Sequence, residues 1–207
     1  DFAVRRLFSG AKGVGIIVAS PITEDFPKPA KPEDRERVLE TSELKAIWKT
    51  VIAGYSTYHA IVQLLIATGQ RRDEVAEATW SEFDLKKEVW TIPAQRMKNS
   101  TTHRVPLTPL SIQILENIPR TESPFLFPGE ANDGKQYKQG QAKRATFSGW
   151  SRSKRRLDDK SKTADWRLHD VRRTVATMLA QQGTPPHVIE RLLNHQGGVV
   201  SGVAAVY

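Results

Sequence analysis

Apolar residues recur at helical spacing along most of this chain, with one stretch near the middle where they alternate instead. Residues 2–17 carry Phe2, Leu7, Phe8, Ile16 and Ile17 in a helical pattern, weakened by Gly10, Gly13 and Gly15. Pro21, Pro27, Pro29 and Pro32 then predict an extended linker. A cleaner domain opens near Thr41-Ser42-Glu43-Leu44, where Thr41 or Ser42 is expected to cap a helix carrying Leu44, Ile47 and Trp48. Thr57 to Thr68 places Ile61, Leu64 and Leu65 on one helix face and stops at Gly69. A short helix is expected from Arg71 to Thr79.

The period then shortens. Glu88-Val89-Trp90-Thr91-Ile92 and Thr102-His103-Arg104-Val105 read as strands on either side of a turn at Asn99-Ser100, which predicts a hairpin or small sheet. Beyond Pro109 the pattern is helical again, over about 109–118, 138–157, 167–182, 185–194 and 199–206. Gly183-Thr184-Pro185-Pro186 breaks two of these helices apart, with proline suited to the next helix start. The expected fold class is mainly α with a small antiparallel β-sheet, an α+β domain.

Composition narrows the function. The 207 residues are 39% hydrophobic and 26% charged, within the range of a globular domain. No apolar run approaches the roughly 20 residues that span a bilayer. The start, Asp1-Phe2-Ala3-Val4-Arg5-Arg6, lacks a secretory apolar core, so a cytoplasmic location is expected. The missing initiator Met suggests a piece of a longer protein. Without cysteine there are no disulfides, thiolate nucleophiles or Cys-bound zinc.

The net charge of +8 is concentrated. Residues 135–167 hold eleven basic and three acidic side chains, and the rest of the chain is neutral. This fits a solvated basic helix or a polyanion-binding surface equally well. Asp158-Asp159 inside it reads as an ion-pairing surface feature.

Candidate chemistry comes from two short constellations. His59, His103, His169, His187 and His195 form no tight metal-ligand cluster, and no phosphate-binding loop ends in Lys-Ser or Lys-Thr, so no metal and no cofactor are expected. Arg71 and Glu74, three residues apart, share a helix face at a half-buried edge, with Arg72 on another face. His169 and Arg172 share a face in the same way. A guanidinium fork matches phosphate oxygens, and a neighbouring imidazole can move a proton. Alone, Arg71 with Glu74 reads as a structural ion pair sooner than as a site, and His169 with Arg172 is a weak signal.

Their order along the chain adds more. Thr68-Gly69-Gln70-Arg71, with Glu74 three residues on, is followed by Met97-Lys98-Asn99 on the hairpin. His169 with Arg172, Leu192-Leu193-Asn194-His195 and a final Tyr207 come next. Trp90-Thr91-Ile92-Pro93-Ala94, His103-Arg104-Val105-Pro106-Leu107 and Val203-Ala204-Ala205-Val206-Tyr207 strengthen the match. Residues 38–207 thus resemble the catalytic domain of tyrosine recombinases, most closely phage, prophage and genomic-island integrases. Residues 1–27 resemble the last helix of a preceding core-binding domain, with 28–37 as the linker.

The resemblance implies site-specific recombination of double-stranded DNA without metal, through a 3′-phosphotyrosine intermediate. It makes Tyr207 the nucleophile and has Arg71 and Arg172 clamp the non-bridging phosphate oxygens. Lys98 would protonate the leaving 5′-oxygen, and His169 would be the acid–base or hydrogen-bonding group. His195 would bind a non-bridging oxygen and position Tyr207, and Glu74 would hold Arg71. Lys138, Lys143, Arg144, Arg152 and Lys154 would contact the DNA backbone. His59, His103 and His187 are left as structural or exposed, and Arg72 and Arg173 as surface or ion-pair residues. A full-length protein is expected to be tetrameric on DNA, assisted by bending and directionality factors. The chain itself, ending at Tyr207 where relatives continue, is expected to be monomeric and to bind DNA weakly. Type IB topoisomerase chemistry and an inactive DNA-binding module of the same fold are the alternatives.

Overall fold

The computed structural model describes residues 2–19, 35–97, 100–129 and 146–194, and divides the chain into two units, Asp1–Glu36 and Arg37–Tyr207. In the first, α1 (Phe2–Gly13) ends four residues before the expected position. Gly15 there takes a left-handed conformation, φ 73°, that turns the chain out of the helix. Among the described residues, no helix is long and apolar enough to cross a membrane.

The second unit is built on α2 (Thr41–Ile52) and α3 (Thr57–Thr68). Thr41 and Ser42 do not cap α2. The Glu43 carboxylate reaches back to the Glu40 N–H at 2.8 Å, so the helix begins one residue earlier, with Glu40 as its cap. α3 supplies the centre of the core through Tyr58, Ile61, Val62, Leu64 and Leu65. It closes at Gly69, as its spacing predicts.

The next helix, α4 (Arg72–Ala76), is shorter than expected at both ends. Arg71 stays extended because Glu74 captures its N–H at 2.8 Å. Beyond Ala76, residues 78–80 pair with a later strand-like segment: Leu126 N–H donates to Ala78 O at 2.8 Å, and Trp80 N–H to Pro124 O at 2.9 Å. These ladder bonds replace further helical ones.

A three-stranded antiparallel sheet follows, in the order β1 (Phe83–Asp84), β2 (Val89–Ile92), β3 (His103–Pro106). Its register opposes Trp90 to Val105 and Ile92 to His103. All four are buried, while Arg104 and Pro106 face outward. The sheet is one strand larger than a hairpin.

Among the described residues, the later α-helices are α5 (Pro109–Glu116), α6 (Trp150–Ser161), α7 (Leu168–Gln181) and α8 (Pro186–Leu193). α6 departs most from the expected 138–157. Residues 138–145 lie outside the described residues. Thr146 instead bridges Pro128, and Gly149 takes φ 85°, so the helix begins at Trp150 and runs on to Ser161. Phe147 and Trp150 pack on Tyr58 with ring centres 5.9 and 6.1 Å away, and on each other at 4.9 Å, fixing α6 to α3. The helix expected at 199–206 lies outside the described residues.

Candidate active site

The site grows from the end of α3. Gly69 takes φ 66°, and a side chain there would bring a Cβ within 2.9 Å of Leu193 and 3.1 Å of Val175. A residue without a side chain lets the ends of α3 and α8 and the flank of α7 converge at one point. Arg172 of α7 exploits that approach. It is 3% exposed; its Nη1 donates to Gly69 O at 2.9 Å and its Nη2 to Leu193 O.

Arg71, two residues past Gly69, is held by a buried carboxylate. Glu74 accepts from the Arg71 backbone N–H at 2.8 Å and from its Nη1 at 2.7 Å. The side chain of Arg71 stays 37% exposed, so the rest of its guanidinium faces out. The two arginines feel each other. Burial first, and then the charge of Arg71, push Arg172 down to about 10, against the opposing pull of Glu74. Arg172 therefore remains a cation at neutral pH, beside a second cation that Glu74 offsets. An anion between them would relieve that repulsion.

His169 lies on the first turn of α7, one helical turn before Arg172. Desolvation, then Arg173, Arg172 and Arg71, hold it below the ordinary imidazole value against the pull of Asp170, and so favour the neutral ring. Asp170 also caps α7, accepting from Arg167 N–H at 2.8 Å.

The described residues thus bring together Arg71, Glu74, His169 and Arg172 of the expected set. Lys98, His195, Tyr207, Lys138, Lys143 and Arg144 lie outside the described residues. Arg152 is exposed on α6. Lys154 is not available in the same way: its ammonium pairs with Asp158 at 2.6 Å and sits 3.8 Å from the Trp166 ring centre. Arg72 pairs with Asp73 at 2.8 Å and covers Trp150, and Arg173 pairs with Asp170.

Two residues without an expected site role sit beside the cluster. His103, left as structural or exposed, is buried, and its Nε2 meets Leu192 O at 3.0 Å. Desolvation lowers its pKa, with Arg172 and Arg71 acting the same way and the Leu192 bond and Glu74 opposing. Alternation was the available signal, because His103 shares a strand face with Val105. Arg96, just before Met97, donates to Glu74 O at 2.6 Å and to the buried Glu82 carboxylate at 2.5 Å. Glu82 also accepts from the Trp90 indole at 2.9 Å, so the sheet is tied to the helix that presents Arg71. No local pattern pointed to Arg96. Among the described residues, no group of three or more His, Asp or Glu side chains could hold a metal ion.

The chain is similar to known proteins in sequence and in fold. Residues 37–198 match the family described as "Phage integrase family". Prophage integrase IntA of Escherichia coli (strain K12) is 32% identical over 196 residues, covering 89% of this chain and 43% of that protein. The chain spans less than half the length of the curated relatives it matches. Among solved structures, XerA recombinase aligns with a TM-score of 0.60 at 20% identity, covering 96% of this chain and 67% of that one. A lambda integrase dimer bound to a COC′ core site aligns at 0.63 and 17% identity, covering 97% of this chain and 56% of that one. The mostly helical fold with its small antiparallel sheet is the fold of these proteins' catalytic domains.

Proposed function

The chain belongs to the phage integrase family, and from that premise we propose that it carries the catalytic part of a site-specific DNA recombinase using Tyr207 as nucleophile. The observation that carries this reading is the meeting of Arg71 and Arg172 at the end of α3, one oriented by Glu74 and the other by two backbone carbonyls. Arg172 donates one N–H from each Nη to those carbonyls, which leaves its Nε–H and two further N–H groups for a ligand.

In this reading a DNA phosphodiester sits between the two guanidinium groups, which offset the charge that grows on phosphorus in the transition state. The Tyr207 oxygen bonds to phosphorus as the bond to the 5′-oxygen breaks. Lys98 supplies the proton that the leaving 5′-oxygen takes up. A phenol with a pKa of about 10 is only about 0.1% ionised at pH 7, a deficit of about 4 kcal/mol. Neutral His169 takes up or relays the phenolic proton, and His195 steadies a non-bridging oxygen and Tyr207. The phosphotyrosine keeps the bond energy until a second DNA 5′-hydroxyl displaces the tyrosine. Arg152 and the basic residues Lys138, Lys143 and Arg144 meet the DNA backbone through charge.

The substrate is double-stranded DNA carrying attachment sites. Assembly on DNA is tetrameric, with bending and directionality proteins as accessory partners. Residues 1–27 form the end of a core-binding domain, 28–37 the linker, and 38–207 the catalytic domain.

The test is a nicked suicide substrate containing an attachment site, incubated in EDTA with the full-length protein and its Tyr207→Phe variant. A covalent DNA adduct on a denaturing gel that disappears in the variant is expected. An adduct retained by Tyr207→Phe would assign the nucleophile elsewhere. Tight DNA binding with no adduct would leave a non-catalytic binding module.

A further inference from the structure

An α-helix leaves its last carbonyls without intrahelical partners. At the end of α8, three donors from three separate segments take two of them. Gln70, just past α3, donates its Nε2–H to Leu192 O at 2.9 Å. His103 on β3 meets the same oxygen through Nε2 at 3.0 Å, and Arg172 on α7 takes Leu193 O. The chain then turns at once, with Asn194 in a left-handed conformation. The carboxyl end of α8 is therefore where the exit of α3, the sheet and the arginine-bearing helix are joined.

The chemistry of the His103 contact is directional. A carbonyl oxygen only accepts, so Nε2 carries the hydrogen and the neutral ring keeps its lone pair on Nδ1. The donor is also held rigidly. His103 is 6% exposed and registered against Ile92 by the strand ladder. Leu192 O, with a second bond from buried Gln70, is held from two directions.

We propose that His103 is a positioning residue: by donating its Nε2–H to Leu192 O, it fixes the end of α8 against Arg172 and so sets the point from which the chain leaves toward His195. The consequence for catalysis rests on the recombinase reading; the anchoring of α8 does not. The competing role is space-filling. In that case a similarly sized apolar residue would serve, and donor geometry would be irrelevant.

The experiment compares full-length wild type with His103→Leu, which keeps bulk but not the donor, and His103→Gln, whose amide nitrogen reaches the Nε2 position. Hydrogen exchange, read by mass spectrometry, reports on residues 188–194. Exchange there is expected to rise about tenfold in His103→Leu and to stay within about threefold of wild type in His103→Gln, with protection of α3 and α7 unchanged. On the nicked substrate, single-turnover adduct formation follows the same order, with DNA affinity unchanged. If His103→Leu does not fold, His103→Asn takes its place, because its amide falls one bond short. Equal behaviour of the Gln variant and the donor-free variant, or protection lost evenly across the chain, would overturn the proposal. If wild type makes no adduct, the recombinase reading fails, while the exchange result still decides the role of His103.

Discussion

In the recombinase reading, the guanidinium of Arg172 serves structure and anion binding at once. It donates to two backbone carbonyls, and it stands next to Arg71 while buried. Lysine cannot reproduce this, since an ammonium is a point charge without the planar fork. Arg172→Lys should therefore lower the rate of adduct formation on the nicked substrate by about 100-fold or more, the usual effect of losing one transition-state donor. It should also lower stability by about 1–3 kcal/mol through carbonyls left without a fixed donor. Single-turnover kinetics and urea unfolding measure the two effects separately. The pairing of Arg71 with Glu74 was legible from a spacing of three residues, although the contact is that of a helix cap rather than of one helix face: Arg71 stays extended ahead of α4, and Glu74 reaches back to it. The burial of Arg172 was not, since it depends on Gly69 and Leu193, which lie far away in sequence.

At the scale of elements, α6 separates residues that composition treats alike. Its basic residues look equivalent in the sequence, yet Arg152 is exposed while Lys154 bridges Asp158 and the Trp166 ring. Arg152→Ala is thus expected to weaken DNA binding and to reduce the slope of log affinity against log salt by about 1, the signature of one lost phosphate contact. Lys154→Ala should leave that slope unchanged and lower stability by about 0.5–1 kcal/mol, since the pair is partly exposed. Titrations at several salt concentrations, alongside thermal unfolding, check both. The sheet shows a similar division of labour. Glu82 gathers Trp90 and Arg96, and Arg96 reaches on to the backbone of Glu74, so the strand layer and α4 are held as one piece.

The molecule as a whole carries a pH dependence set by histidines in three elements. His59 on α3, His103 on β3 and His169 on α7 are all held below the ordinary imidazole value, first by desolvation. Lys160 adds to this at His59, and the arginines add to it at the other two. In the unfolded chain these rings bind protons from about pH 6.5 downward, whereas the folded chain resists until lower pH. Their contribution to stability is therefore complete above about pH 6.5 and is lost as pH falls through the folded values. The urea midpoint should drop between about pH 7.5 and about pH 5.5, and His103→Gln should flatten part of that slope. A midpoint that rises on acidification would contradict the assignment.

By itself, the sequence determined the helices with a clear apolar period, the cap at Gly69, the alternating strands and the contact of Arg71 with Glu74. Each depends on residues within about one turn of one another, where spacing dictates geometry. Only the tertiary structure decided that α4 stops at Ala76, that α6 starts at Trp150, and that His103 is buried beside the arginines. Those outcomes rest on partners such as Leu126 for Ala78 and Leu192 for His103, the latter 89 residues apart. A buried polar group must find a partner wherever the fold brings one, and local periodicity carries no record of where that will be.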